Sequence, residues 1–125
     1  MSRVLQSIIE ARQTWRWLTF MLVAAVCYLA LTPAPPRALD TGWDKANHAL
    51  AFAAMALSAS FGFPASRLRK LIPLLALLFF GVAIEVLQLW VPSRSSDWHD
   101  VLADVVGIAA GALLARLVCG IARRT

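Results

Sequence analysis

A chain of 125 residues that is 60% hydrophobic and only 15% charged is too apolar for an ordinary soluble domain, where about half the residues are apolar and about a quarter charged. The length fits one domain, and the composition fits a small integral membrane protein. The net charge of +5 does not point to nucleic acid, because no basic stripe with interleaved aromatics accompanies it.

The N-terminal "VLQSIIEARQTW" spaces Val4, Ile8, Ala11 and Trp15 along one helical face, a pattern for a segment lying on the inner membrane surface. The first apolar run covers 15–32. A cleaved signal peptide over 1–32 is the weaker reading: the charged stretch is long for one, and Trp15 and Trp17 suit interfacial anchors. A Pro-rich connection, "TPAPPRALDTGWD", stops the helix. The second run covers 45–63, "PASRLRK" is a basic turn, and the third run covers 71–91. "PSRSSDWH" offers a breaker and Ser and Asp caps, and the fourth run covers 100–121. Each run approaches the ~20 residues a helix needs to cross the hydrocarbon core. Cys27 and Cys119 fall at opposite ends of antiparallel spans, too far apart for a disulfide. The expected fold is all-α: one membrane domain over 1–125, with four transmembrane helices in a small bundle.

Cations set the orientation. Arg3, Arg12 and Arg16 precede the first span, Arg67, Arg69 and Lys70 separate the second from the third, and Arg123 and Arg124 follow the fourth. The opposite connections and their flanks carry only Arg37, Lys45 and Arg94. The positive-inside rule places both termini in the cytoplasm. Every acid except Glu10, and both histidines, then belong to the outer half.

Helical rise gives depth. Glu85 lies six residues before Val91, roughly 9 Å below that end. Asp104 is about as deep in the fourth span, and His48 is about 6 Å past Asp44. Asp44 and His48, Glu85 and Gln88, and Asp100 and Asp104 each share a helical face, and Gly107 and Gly111 extend the last one. Small residues there admit a neighbouring backbone, so the carboxylates are expected to face the bundle. A charge in mid-membrane costs about 2.5–3.5 kcal/mol or more and needs partners. Five acids, Asp44, Glu85, Asp97, Asp100 and Asp104, meet only Lys45 and Arg94 as fixed cations. Such a set protonates, binds a cation or stays wet. Taken one at a time, Asp44, Asp97 and Asp100 also suit simple helix caps, Lys45 suits snorkelling to water, and His99 suits the water line.

Three stretches in order, "DKANHALAF" (44–52), "EVLQ" (85–88) and "RSSDWHDVLADVVGIAAG" (94–111), resemble the VanZ-like family of bacterial membrane proteins. That family shows D-K-x-x-H-x-x-x-F, E-x-x-Q, and an R followed by D-x-x-x-N-x-x-G. Asp44, Lys45, His48, Phe52, Glu85, Gln88, Arg94, Asp100 and Gly107 fall on family positions. The family's usual Asn falls on Asp104, which adds a carboxylate. The resemblance implies a cell-envelope role in the bacterial inner membrane, of the kind linked to antibiotic resistance against the glycopeptide teicoplanin. It supplies no settled reaction.

Three functional readings follow. In the first, the layer of Asp44, Lys45, His48, Glu85, Gln88, Arg94, Asp100 and Asp104 binds the head group of an envelope lipid or lipid-linked precursor, Arg94 forking a phosphate and Lys45 adding a point charge. In the second, His48, Glu85, Asp100 and Asp104 are catalytic or hold a divalent metal for hydrolysis or transfer of a lipid phosphate, with Asp44 fixing the other histidine nitrogen. No established metal motif or nucleophile elbow is present to specify that chemistry. In the third, the layer is a hydrogen-bonded clasp in an accessory protein. A proton path is a minor fourth.

Overall fold

The computed structural model describes residues 2–34, 42–66 and 68–124. Arg37, Asp40 and Arg67, which entered the orientation argument above, lie outside them. Among the described residues the fold is entirely helical: α1 Ser2–Glu10, α2 Arg12–Leu31, α3 Asp44–Gly62, α4 Leu71–Gln88 and α5 Trp98–Arg124.

Breakers set the boundaries. The helical path is interrupted at Ala11 (ψ 56°), where the Trp15 indole reaches back to donate to the Ile8 carbonyl at 2.7 Å. This turns the expected N-terminal amphipathic segment into a separate short helix. Gln6 of α1 donates to the Ala122 carbonyl, which ties α1 to the end of α5. α2 stops before Pro33, and α3 stops at Gly62, two residues before Pro64. The third span was expected to run to Val91. Helix α4 instead ends at Gln88, and residues 89–91 turn ahead of Pro92 and Ser93, the latter at φ 64°.

Helix α3 is the hub. Phe52, Met55, Ala56 and Ala59 are buried and share a core with Leu77 of α4 and Ile108 of α5. Three helices, α2, α4 and α5, are long and apolar enough to cross a membrane. Their outer faces carry exposed Phe20, Met21, Leu75, Phe79, Val106 and Leu117, which is what a lipid solvent accepts and water does not. α3 has the length of a span and falls short in apolarity. The reason is its place: Asp44, Lys45, Asn47 and His48 crowd its first turns, and its flanks are covered by protein.

α5 lies very close on α3. A Cβ built on Gly107 would collide with the Ala49 carbonyl, and one on Gly111 with the Ala53 carbonyl. Only glycine permits this approach, in which small residues let two backbones touch. α2 joins α3 through Thr19, whose hydroxyl donates to Ser58 Oγ at 2.9 Å.

The bundle is electrically polarised. The N-termini of α3 and α5 and the C-terminus of α4 meet at an acidic end. At the opposite end, Lys70, Arg116 and Arg123 border a groove of about 220 Å³ with apolar walls that include Ala59, Phe63 and Leu74.

Candidate functional site

At the acidic end α3, α4 and α5 bring their polar residues around His48. Asp104, on the glycine face of α5, places Oδ1 2.8 Å from His48 Nδ1. On the far side of the ring, Nε2 lies 3.7 Å from Asp100 Oδ2 and 3.9 Å from Glu85 Oε1. Asp44, His48 and Asp100 each offer a ligand atom within 4.8 Å of the others. Glu85, Asp100 and Asp104 are 4%, 2% and 0% exposed, so the layer is closed to lipid. Glu85 and Asp104 therefore face the bundle, with the imidazole between them.

Local sequence explains how each acid is held. Asp97 caps α5, its Oδ1 accepting from the His99 backbone N–H at 3.0 Å and lying 2.7 Å from the His99 ring. That backbone N–H, then the His99 ring and Lys45, hold the Asp97 carboxyl down at about 2. The same loop fastens Glu85: the Asp97 backbone N–H and the Ser96 hydroxyl donate to Oε2 at 3.0 and 3.3 Å. Oε1 is left buried with no hydrogen-bond partner. The helix N-termini of α3 and α5 carry Asp44 and Asp100 in their first turns, where the backbone partial positive charge favours anions.

Lys45 bridges Asp97 Oδ2 at 3.2 Å and Asp100 Oδ1 at 3.4 Å. With Lys45 and Asp97 39% and 40% exposed, this pair marks the mouth of the layer. Arg94 and Gln88 are placed differently from the other expected site residues. Arg94 Nε donates to the Thr32 carbonyl at 3.0 Å and Nη2 to the Leu29 carbonyl, while Gln88 Nε2 donates to the Ala30 carbonyl at 3.0 Å. Together they take up unpaired carbonyls of the last turn of α2. Arg16 does the same for α3 at the opposite end, donating to Gly62 at 2.8 Å.

His48 Nδ1 faces Asp104 where Asp44 was expected to fix the second histidine nitrogen, because the close approach of α5 to α3 brings the Asp104 carboxylate to within 2.8 Å of it. Sequence reasoning missed Gly81: a Cβ there would stand 2.5 Å from Asp104 Oδ2 and 3.2 Å from Phe52. Its signal was the four-residue step to Glu85. Ser96 and Asp97, read as loop and cap, also position Glu85.

Apolar-faced helices around a buried layer of acids and a histidine define a polytopic α-helical membrane protein with a polar site at one end of its bundle. Residues 4–119 match the VanZ/LLP1 family, and the chain belongs to that family. No curated protein and no solved structure matches it.

Proposed function

We propose that this protein is a four-span protein of the bacterial inner membrane, with both termini in the cytoplasm, that binds the phosphate-bearing head group of an envelope lipid or lipid-linked precursor at its outer face. The observation that carries this reading is the layer itself: three buried carboxylates and a histidine, drawn from three helices, beneath a mouth marked by Lys45 and Asp97. Ionisable groups this deep in an apolar bundle mark a ligand or ion path more often than a fold requirement. The groups left to meet a ligand are Lys45, His48 and the acids. The fork of Arg94 is occupied by α2 carbonyls, so its part is to hold the wall of the site.

An envelope role of the kind linked to glycopeptide resistance is part of this proposal, supported by the motif resemblance and not by the family match alone. The test is growth in teicoplanin of a susceptible host expressing the chain, with membrane abundance followed by blot. His48→Gln and Glu85→Gln are expected to abolish protection at normal abundance, while surface Arg69→Lys keeps it. Full protection by both site variants would make the layer a structural clasp.

A further inference from the structure

The acidic layer poses an electrostatic problem that its own residues do not solve. An ionised carboxylate only accepts hydrogen bonds, so Asp104 Oδ1 at 2.8 Å requires His48 Nδ1 to donate. In the neutral ring, Nε2 then presents a lone pair toward Asp100 Oδ2 at 3.7 Å and Glu85 Oε1 at 3.9 Å. Three electron-rich atoms face one another. In the charged ring, an Nε2–H would find no acceptor near enough, because N–H···O bonds close at about 2.7–3.2 Å. With the acids ionised, neither state of the histidine satisfies the pocket.

We infer that His48 Nε2, Asp100 and Asp44, three residues whose ligand atoms lie within 4.8 Å of one another, form a site for one divalent transition-metal ion, with Asp104 orienting the histidine from behind and Glu85 Oε1 3.9 Å from Nε2 beside it. Zinc-type bonds to N and O are about 2.0–2.2 Å. Two donors on one ion therefore stand ~3–4 Å apart as their angle opens from about 90° to about 140°. The separations of 3.7 and 3.9 Å fall in that range. Glu85 supplies an observation independent of the acid cluster. It is 4% exposed, its Oε2 is fastened by Ser96 and Asp97, and its Oε1 has no hydrogen-bond partner and lies 3.9 Å from His48 Nε2. The pairing of Asp104, His48 and the ion is the carboxylate–histidine arrangement that fixes a metal-binding ring. One imidazole among carboxylates favours Zn²⁺ or Mn²⁺ over a soft ion.

The cation site stands on this geometry alone. Its use rests on the head-group reading: an ion among the acids would accept the lipid phosphate that an acidic layer would otherwise repel, with Lys45 alongside.

The test is elemental analysis of the full chain, purified in mild detergent with a tag free of histidine. It is followed by stripping with a chelator and rebinding of Zn²⁺ or Mn²⁺ alone, read as a rise in Tm. Wild type and Arg69→Lys are expected to carry or rebind about one ion per chain. Asp100→Asn and the isosteric Glu85→Gln are expected to rebind at least ~10-fold more weakly, with helical content and monodispersity checked for each. Should a variant misfold, the strip-and-rebind result on wild type still decides. Wild type that neither carries nor rebinds either ion overturns the site, as does equal rebinding by both variants. A metal-free chain that retains phospholipid overturns the cation site and leaves the head-group reading standing. A chain that rebinds Zn²⁺ but retains no phospholipid keeps the site and overturns that reading.

Discussion

His48 is held at Nδ1 by Asp104, and the Asp104 carboxylate has room only because residue 81 is a glycine. The family's usual Asn at this position keeps an oxygen that can accept from Nδ1. Asp104→Asn is therefore expected to fold normally, whereas Asp104→Leu leaves the Nδ1–H unpaired and costs about 1–3 kcal/mol, seen as a lower Tm in detergent. Gly81→Ala should act at a distance, because its Cβ would displace the Asp104 carboxylate that the ring leans on. The cap residue Asp97 behaves differently. Its carboxyl is held down at about 2 against an ordinary value of 3.8. A lowered folded-state value means the cap's contribution is complete above the ordinary value and is lost as pH falls through about 2. The Tm difference between wild type and Asp97→Ala should therefore be constant from pH 8 to pH 5 and shrink below pH 4. A difference that fades between pH 8 and pH 6 would contradict this assignment.

Between elements, the seam of α3 and α5 depends on two glycines. Gly107→Ala and Gly111→Ala would drive a Cβ into the carbonyls of Ala49 and Ala53, which are backbone atoms and cannot turn aside. Each should destabilise by about 1–3 kcal/mol or more. Gly120→Ala, on the same helix with nothing near its Cβ, should be neutral or gain up to ~1 kcal/mol from helix propensity. Equal Tm values for the three variants would refute the close seam. This contact was legible in the sequence, because two glycines four apart announce a backbone approach. The partner of Arg94 was not. Its fork meets carbonyls of α2, and a backbone carbonyl looks alike at every position of a sequence. The same limit hid the swap between Asp44 and Asp104: periodicity assigns a face to each helix but not the distance between two helices. Arg94→Lys keeps the charge and can serve one carbonyl at a time, so it is expected to lower Tm by loosening the end of α2.

For the molecule as a whole, acids gather at one end of the bundle and Lys70, Arg116 and Arg123 at the other. The Lys and Arg at that end support the proposed orientation, with the basic end in the cytoplasm. Alkaline phosphatase fused after Ser95 should be active, and fused after Arg67 inactive; the reverse would turn the site inward. The apolar runs were readable from composition because lipid-facing surfaces must be greasy along their length. The status of α3 was harder, since a helix wrapped by its neighbours can carry charge that a lipid-facing span cannot. The central claim, that the polar layer holds a phosphate-bearing lipid head group, is tested most directly by native mass spectrometry of the delipidated chain re-exposed to phospholipid. The account predicts one bound lipid per chain in wild type and in Arg69→Lys, and its loss in both His48→Gln and Glu85→Gln. Equal lipid retention by all four proteins would contradict it.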